Sequence, residues 1–260
     1  MSESDRALQD AVIRALADAP YRASPEWRGL ALADPTRLER FARFLARHFY
    51  FERVVHFFKY SRALARVTGR RPEAVLHSPG FDALLSTAVL GSRATARAVA
   101  ALAVDHVRPA GARQSISYLG DLLEYEQAMM VVEAGPRVWQ DAAAAHDAGS
   151  GERSLPETVQ GTVLLDLAYD LPAVLPRLLQ PWTDVPQAPP QHVKLLVARS
   201  PHGRVTVARA DAAVASVVEL ADGRKTLPEL AREAGFSSDD LKATLASLAD
   251  LGAVRFATGS

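Results

Sequence analysis

The hydrophobic period changes once along this chain, across HDAGSGERSLP at 146–156, and that change limits the fold to a helical part followed by a mixed one. From residue 36 to about 148 the apolar residues recur at helical spacing. Asp34-Pro35 marks the start of a long helix reaching Val67, and Pro72, Gly80, Gly91, Pro109 and Gly120 mark later breaks. Beyond the change, TVQGTVLLDLAYD, HVKLLVARS and RVTVARA are β-branched runs bounded by Pro and Gly, which is strand chemistry. A short helix after Asp170 and a proline-rich crossing, DVPQAPP, lie between the first two. Helices over 211–221, 227–234 and 238–250 and a closing strand, AVRF, follow, which is the order of a helix-turn-helix with a wing. The Gly, Ser and charge of the changeover segment are those of a linker. The pattern predicts an α+β fold: an N-terminal α-helical bundle domain over 1–148, a linker over 149–157, and a winged-helix-like domain with a small β-sheet over 158–260.

Composition then narrows the chemistry. The absence of cysteine excludes disulfides, thiolate metal sites and cysteine nucleophiles. Thirty basic against thirty acidic residues argue against a surface devoted as a whole to nucleic acid or anionic lipid. The start, MSESDRALQDAVIRALADAP, is an amphipathic helix without the apolar core of a signal peptide, and no run approaches the ~18 apolar residues of a membrane span. A cytoplasmic protein is expected. No nucleophile elbow, phosphate loop, zinc signature or dinucleotide fingerprint appears, so no residue is assigned a catalytic role and the chain is expected not to be an enzyme.

The stretch RHFYFERVVHFFKYSR, 47–62, is both aromatic and basic. Around a helix Phe44, Phe49, Val54, Phe57 and Phe58 point in all directions, which predicts a buried middle. From Arg37 to Arg71 ten basic residues stand against Glu39 and Glu52, a net +8. These cations read either as the solvated flanks of a core helix, covering apolar surface with their stems, or as a docking surface for an acidic partner. In the second reading Arg43, Arg47, Lys59 and Arg62 carry the contact. His48, Glu52 and His56 recur every fourth residue on one side of the helix, and Asp121, Glu124 and Glu126 could join them in a bundle metal site. The Glu-x-x-His pair of such sites is missing throughout. No metal and no cofactor are therefore expected in this chain.

The second helix of the helix-turn-helix would be the DNA reader, yet it carries Asp239, Asp240, Lys242 and Asp250, and residues 191–260 hold nine basic and eight acidic residues. Phosphate neutralisation asks for a basic footprint. A peptide is the better expected ligand. Added as a strand beside Arg204, Val205, Thr206, Val207 and Ala208, it would pair through its main chain while its side chains meet Leu241, Leu245 and Leu248 of the last helix.

The stretch VTVARADAAVASVVELADGRKTLPELAREAGFSSDDLKATLASLADLGAVRF resembles the PqqD-like peptide-clamp domains that hold leader peptides during ribosomal peptide modification. The likeness lies in its layout of strand, helix, Asp222-Gly223 turn, Thr226 cap with Glu229, last helix and strand. RFLARHFYFERVVHFFKYSRAL, SYLGDLLEYEQAMM and VLLDLAYDLPAVLPRLL together resemble the partner proteins of multinuclear non-heme iron-dependent oxidases (MNIO). The resemblance implies a non-catalytic subunit of a heterodimer: the oxidase carries the iron and the chemistry, and this chain binds the precursor peptide and presents it. It carries over no individual residue. A DNA-binding winged-helix regulator and a helical His/carboxylate metal oxidase are the alternatives.

Overall fold

A computed structural model describes residues 3–30, 34–108, 116–135 and 154–258. The fold is α+β and divides into two compact units, Met1–Leu119 and Gly120–Ser260. No helix among the described residues is long and apolar enough to cross a membrane.

The first unit is helical: α1 (Glu3–Ala17), α2 (Ala19–Arg22), α3 (Pro25–Arg28), α4 (Pro35–Phe57), α5 (Lys59–Ala63), α6 (Ala65–Thr68), a 3-10 turn (Pro72–His77), α7 (Pro79–Leu84) and α8 (Arg93–Val107). Most starts are dictated locally. Asp34, Ser78 and Ser92 each accept a hydrogen bond from the backbone N–H three residues on, and prolines follow Asp34 and Ser78 at the first helical position, where no N–H is needed. The centre of the unit is α4, packed against α1, the 3-10 turn and α8.

Two expectations for this region change. The long helix to Val67 is three helices, because Phe58 leaves helical geometry (φ −97°, ψ 31°) and a second junction falls at Leu64. Both junction residues are fully buried. In a straight helix Phe58 would continue the stripe one step further, 40° beyond Val54 and about 100° from the stripe's middle, and the bend turns it back toward the core. Nor is the middle of α4 buried on all sides. Its inward stripe is Ala42, Ala46, Tyr50 and Val54, spaced every fourth residue, whereas Phe41, Phe44 and Phe51 are 50%, 61% and 43% exposed and Phe49 and Phe57 are half-buried. Ala42 and Ala46 inward let the neighbouring helices come close. Three of its phenylalanines are left outside.

The second unit begins with α9 (Leu119–Glu133) and continues with β1 (Ser154–Thr158), β2 (Val163–Leu167), α10 (Leu171–Leu178), β3 (Val193–Arg199), β4 (Val205–Ala210), α11 (Ala212–Leu220), α12 (Leu227–Ala234), α13 (Ser238–Asp250) and β5 (Val254–Thr258). Two antiparallel sheets result, one of β1 and β5 and one in the order β2-β3-β4. In the linker expected over 149–157, residues 149–153 lie outside the described residues, but 154–157 are strand. Ser154 pairs with Thr258 and Thr158 with Val254. Pro156 lacks an N–H, and on the side of β1 away from β5 only its carbonyl is used, accepting from Gly223 N–H, next to an isolated bridge between Glu157 and Asp222.

The winged-helix-like part closes on a core of Leu196, Val217, Leu230, Leu241, Leu245, Leu248 and Val254 among others. Thr226 and Glu229 form a capping box at α12, Gly235 ends that helix at φ 74°, and Ser237 caps α13. Gly252, at φ 77°, follows α13 where the chain crosses the end of β3. A Cβ there would collide with the Arg199 backbone carbonyl.

Candidate functional site

Strand β4 is an edge. Val205 stands opposite Arg199 and Ala210 opposite Lys194, and among the described residues no strand pairs with the other side of β4. Side chains alternate along a strand. Thr206, Ala208 and Ala210 therefore share one face, on which the Thr206 hydroxyl reaches the Leu251 carbonyl at 3.0 Å. Val205, Val207 and Arg209 share the other. Arg204 is exposed and residues 205–208 are half-buried.

The ends of this edge are held firmly. Arg209 Nη2 donates to both carboxylate oxygens of Asp170, at 2.6 and 2.8 Å, and ties β4 to the start of α10. At the other end Arg199 donates to the Glu133 and Gly135 carbonyls, at 2.6 and 3.0 Å, a cation placed at the negative end of α9. The Ser200 hydroxyl accepts from Arg204 N–H inside the β3–β4 turn. Reading the sequence missed Arg199, Arg209 and Asp170. Their partners lie 64 to 66 and 39 residues away, so no local pattern announces them.

The leucines expected to line a groove beside β4 are in the core instead: Leu241 is 1%, Leu245 1% and Leu248 2% exposed. Their spacing gives them one face of α13, and that face packs inward onto α11 and α12 residues. What α13 shows to solvent is Asp239, Asp240, Lys242, Ala243, Ala246, Ser247 and Asp250.

No protein-family model matches the chain, and no curated protein matches it. Chemistry must be read from the side chains themselves.

On α4 and its successors, three of the four expected partner-binding cations are engaged within the unit. Arg43 pairs with Glu39 at 2.9 Å, Arg47 with Asp82 at 2.7 Å and with the Leu76 carbonyl, and Arg62 with Glu73 at 2.9 Å. Lys59 lies over the Tyr60 ring at 4.9 Å. Glu39 also receives Arg22 at 2.7 Å. Partial burial pushes its carboxyl up, but the Arg43 hydrogen bond and the Arg22 charge outweigh burial and hold it below its ordinary range. Arg22 and Arg47 tie α4 to α2 and α7, Arg62 ties α5 to the 3-10 turn, and Arg43 pairs within α4.

His48 and Glu52 approach to 3.4 Å on the exposed side of α4, and His56 packs edge-on against Phe57. Asp121 accepts from Tyr169 N–H at 2.9 Å, and Glu126 is fully buried. Partial burial and the neighbouring Asp121 and Asp166 carboxylates push Glu124 up. Among the described residues no group of three or more His, Asp or Glu side chains is placed to hold a metal ion.

Proposed function

We propose that this chain is a non-catalytic partner subunit that binds a ribosomally made precursor peptide and presents it to a multinuclear iron-dependent oxidase. The observation that supports this reading best is the edge of β4. An extended peptide laid along Arg204–Ala208 would satisfy backbone groups that have no strand partner among the described residues, giving affinity through main-chain hydrogen bonds. Val205 and Val207, half-buried on one face, offer apolar contact to alternate peptide side chains. The Arg209–Asp170 and Arg199–α9 anchors keep the edge from fraying, which lowers the ordering cost of binding. Leu241, Leu245 and Leu248 act from behind by fixing the helices on which the sheet rests, and do not touch the peptide. The resemblance of the layout to PqqD-like clamps points to a leader peptide. The oxidase supplies iron and chemistry. The carboxylates on the outward face of α13 disfavour the alternative of duplex DNA.

Affinity capture of the tagged chain from its source cells should bring down an iron-containing oxidase and a ribosomal peptide. Hydrogen exchange on the ternary mixture should then show protection of amides within 204–208. Val207→Pro removes one N–H from the edge and should weaken peptide capture while far-UV circular dichroism and melting stay near wild type. Peptide capture with no protection at 204–208 would place the ligand elsewhere. Stoichiometric iron in the isolated chain, or sub-micromolar sequence-selective duplex binding at physiological salt, would replace the reading altogether.

A further inference from the structure

In an antiparallel pair both backbone groups of a residue point to the same side, and the side alternates along the strand. At the β3–β4 turn the Arg204 carbonyl accepts from Ser200 N–H at 2.7 Å, so Arg204 is turned toward β3. Counting on from there, Thr206, Ala208 and Ala210 also bond toward β3, and Val205, Val207 and Arg209 turn their N–H and C=O outward. None of these outward groups has a hydrogen-bond partner among the described residues. The side chains of the same three residues share one sheet face.

A strand laid along this edge is therefore held in a set register. In the antiparallel orientation, the more stable of the two per residue, alternate residues of the strand exchange both bonds with Arg209, Val207 and Val205 in turn. Their side chains then stand beside those three at the short range of cross-strand pairs. The chemistry along the edge is uneven. Val205 and Val207 are half-buried and apolar. Arg209 uses only Nη2 on Asp170; its Nε and Nη1 have no partner among the described residues, and its side chain is 53% exposed. A guanidinium has five N–H donors in a fork, enough for a second carboxylate. Arg204, immediately before the strand, is exposed and has no ion pair among the described residues. Two cations with open donors thus bracket two valines.

We propose that the strand recognised here is acidic at both ends and apolar between. In N-to-C order it carries a carboxylate residue facing Arg209, an apolar residue facing Val207, an apolar residue facing Val205 and a carboxylate residue facing Arg204, with small or polar residues opposite Ala208 and Thr206. Resting on the β4-edge reading above, this pattern adds specificity to it: main-chain bonds hold any extended chain, whereas the four side chains select one. The carboxylate facing Arg204 contributes more than the one facing Arg209, because Asp170 and Asp211 lie at the Arg209 end and offset its charge.

A fluorescein-labelled decapeptide, Gly-Ser-Glu-Thr-Val-Thr-Val-Glu-Gly-Ser, carries the pattern and can be titrated with the full chain by anisotropy. Changing its second Glu to Gln should weaken binding about two- to fivefold, as for an exposed ion pair, and changing the first should weaken it less. Lys at both positions should weaken it about tenfold or more, and the loss should shrink as salt is raised. Arg204→Glu, at an exposed site, should reverse the preference at the second position, binding the Lys form more tightly than the Glu form. The order Gly-Ser-Glu-Val-Thr-Val-Thr-Glu-Gly-Ser should bind several-fold more weakly than the first peptide, since its valines turn to the other face. Val207→Pro should weaken every probe. Equal affinity for the Glu, Gln and Lys probes, all weakened by Val207→Pro, would overturn the acidic pattern and leave the β4 edge as a peptide site. The second order binding as well as the first would overturn the register. If no probe binds, the pattern is overturned as well, and protection of 204–208 by the captured precursor still decides the edge itself.

Discussion

Helices α4 and α13, each a long helix of its unit, are built inside out with respect to one another. α13 turns Leu241, Leu245 and Leu248 inward and leaves Asp, Lys, Ser and Ala in water. α4 turns Ala42 and Ala46 inward along with Tyr50 and Val54, and leaves Phe41, Phe44 and Phe51 outside. What separates them is the outward face. A helix whose large apolar side chains all face inward is finished by its own chain, whereas one that also shows three rings to solvent has apolar surface left over.

The largest test of this contrast is Leu245→Ala. It removes a side chain that is 1% exposed and leaves a cavity among α11 and α12 residues, so unfolding in urea should report a loss of about 2–5 kcal/mol. A loss under about 1 kcal/mol would mean that α13 is no better closed than α4. Enlarging α4 comes next. Ala46→Leu overfills a stripe held close to its neighbours and should cost about 1–3 kcal/mol. A neutral result would show that α4 sits loosely in its unit.

The smallest effects are those of pH, and the two units should answer with opposite sign. The Glu39 carboxyl on α4 is held low in the folded state, so its contribution is complete above the ordinary carboxylate pKa and is lost as pH falls through its lowered value. Glu124 on α9 is held high, binding its proton more tightly when folded. Its contribution therefore declines as pH rises from the ordinary carboxylate range through its raised value. Glu124→Gln should flatten that decline and raise stability slightly at neutral pH, whereas Glu39→Gln should lower it. Matching pH slopes for both variants in chemical denaturation would contradict these environments.

The second unit was legible wherever local chemistry and tertiary packing agree. Helices at 227–234 and 238–250 have the bounds that Thr226, Gly235 and Ser237 set, and β4 lies where Val205 and Val207 alternate with shorter side chains. The strand 154–158 was hidden by Pro156 and by composition, since its pairing with β5 depends on a segment about 100 residues away. In α4 the rings drew attention from a signal that was present: Ala42, Ala46, Tyr50 and Val54, every fourth residue, trace the inward stripe. Nothing local announced the bend at Phe58. At the candidate site the strand could be placed from its own residues. The burial of the α13 leucines and the anchoring by Arg209 and Arg199 are long-range facts that alternation and spacing do not encode.

Gly252 has a consequence for inheritance. Every missense change at its codon adds a carbon that the Arg199 carbonyl leaves no room for, at a backbone angle that L side chains rarely take. In a library of all single substitutions, column 252 should therefore be nearly blank, although the residue has neither a side chain nor a charge. The crossing of α13's end over β3 makes a position that looks neutral in the sequence one of the least mutable in the gene.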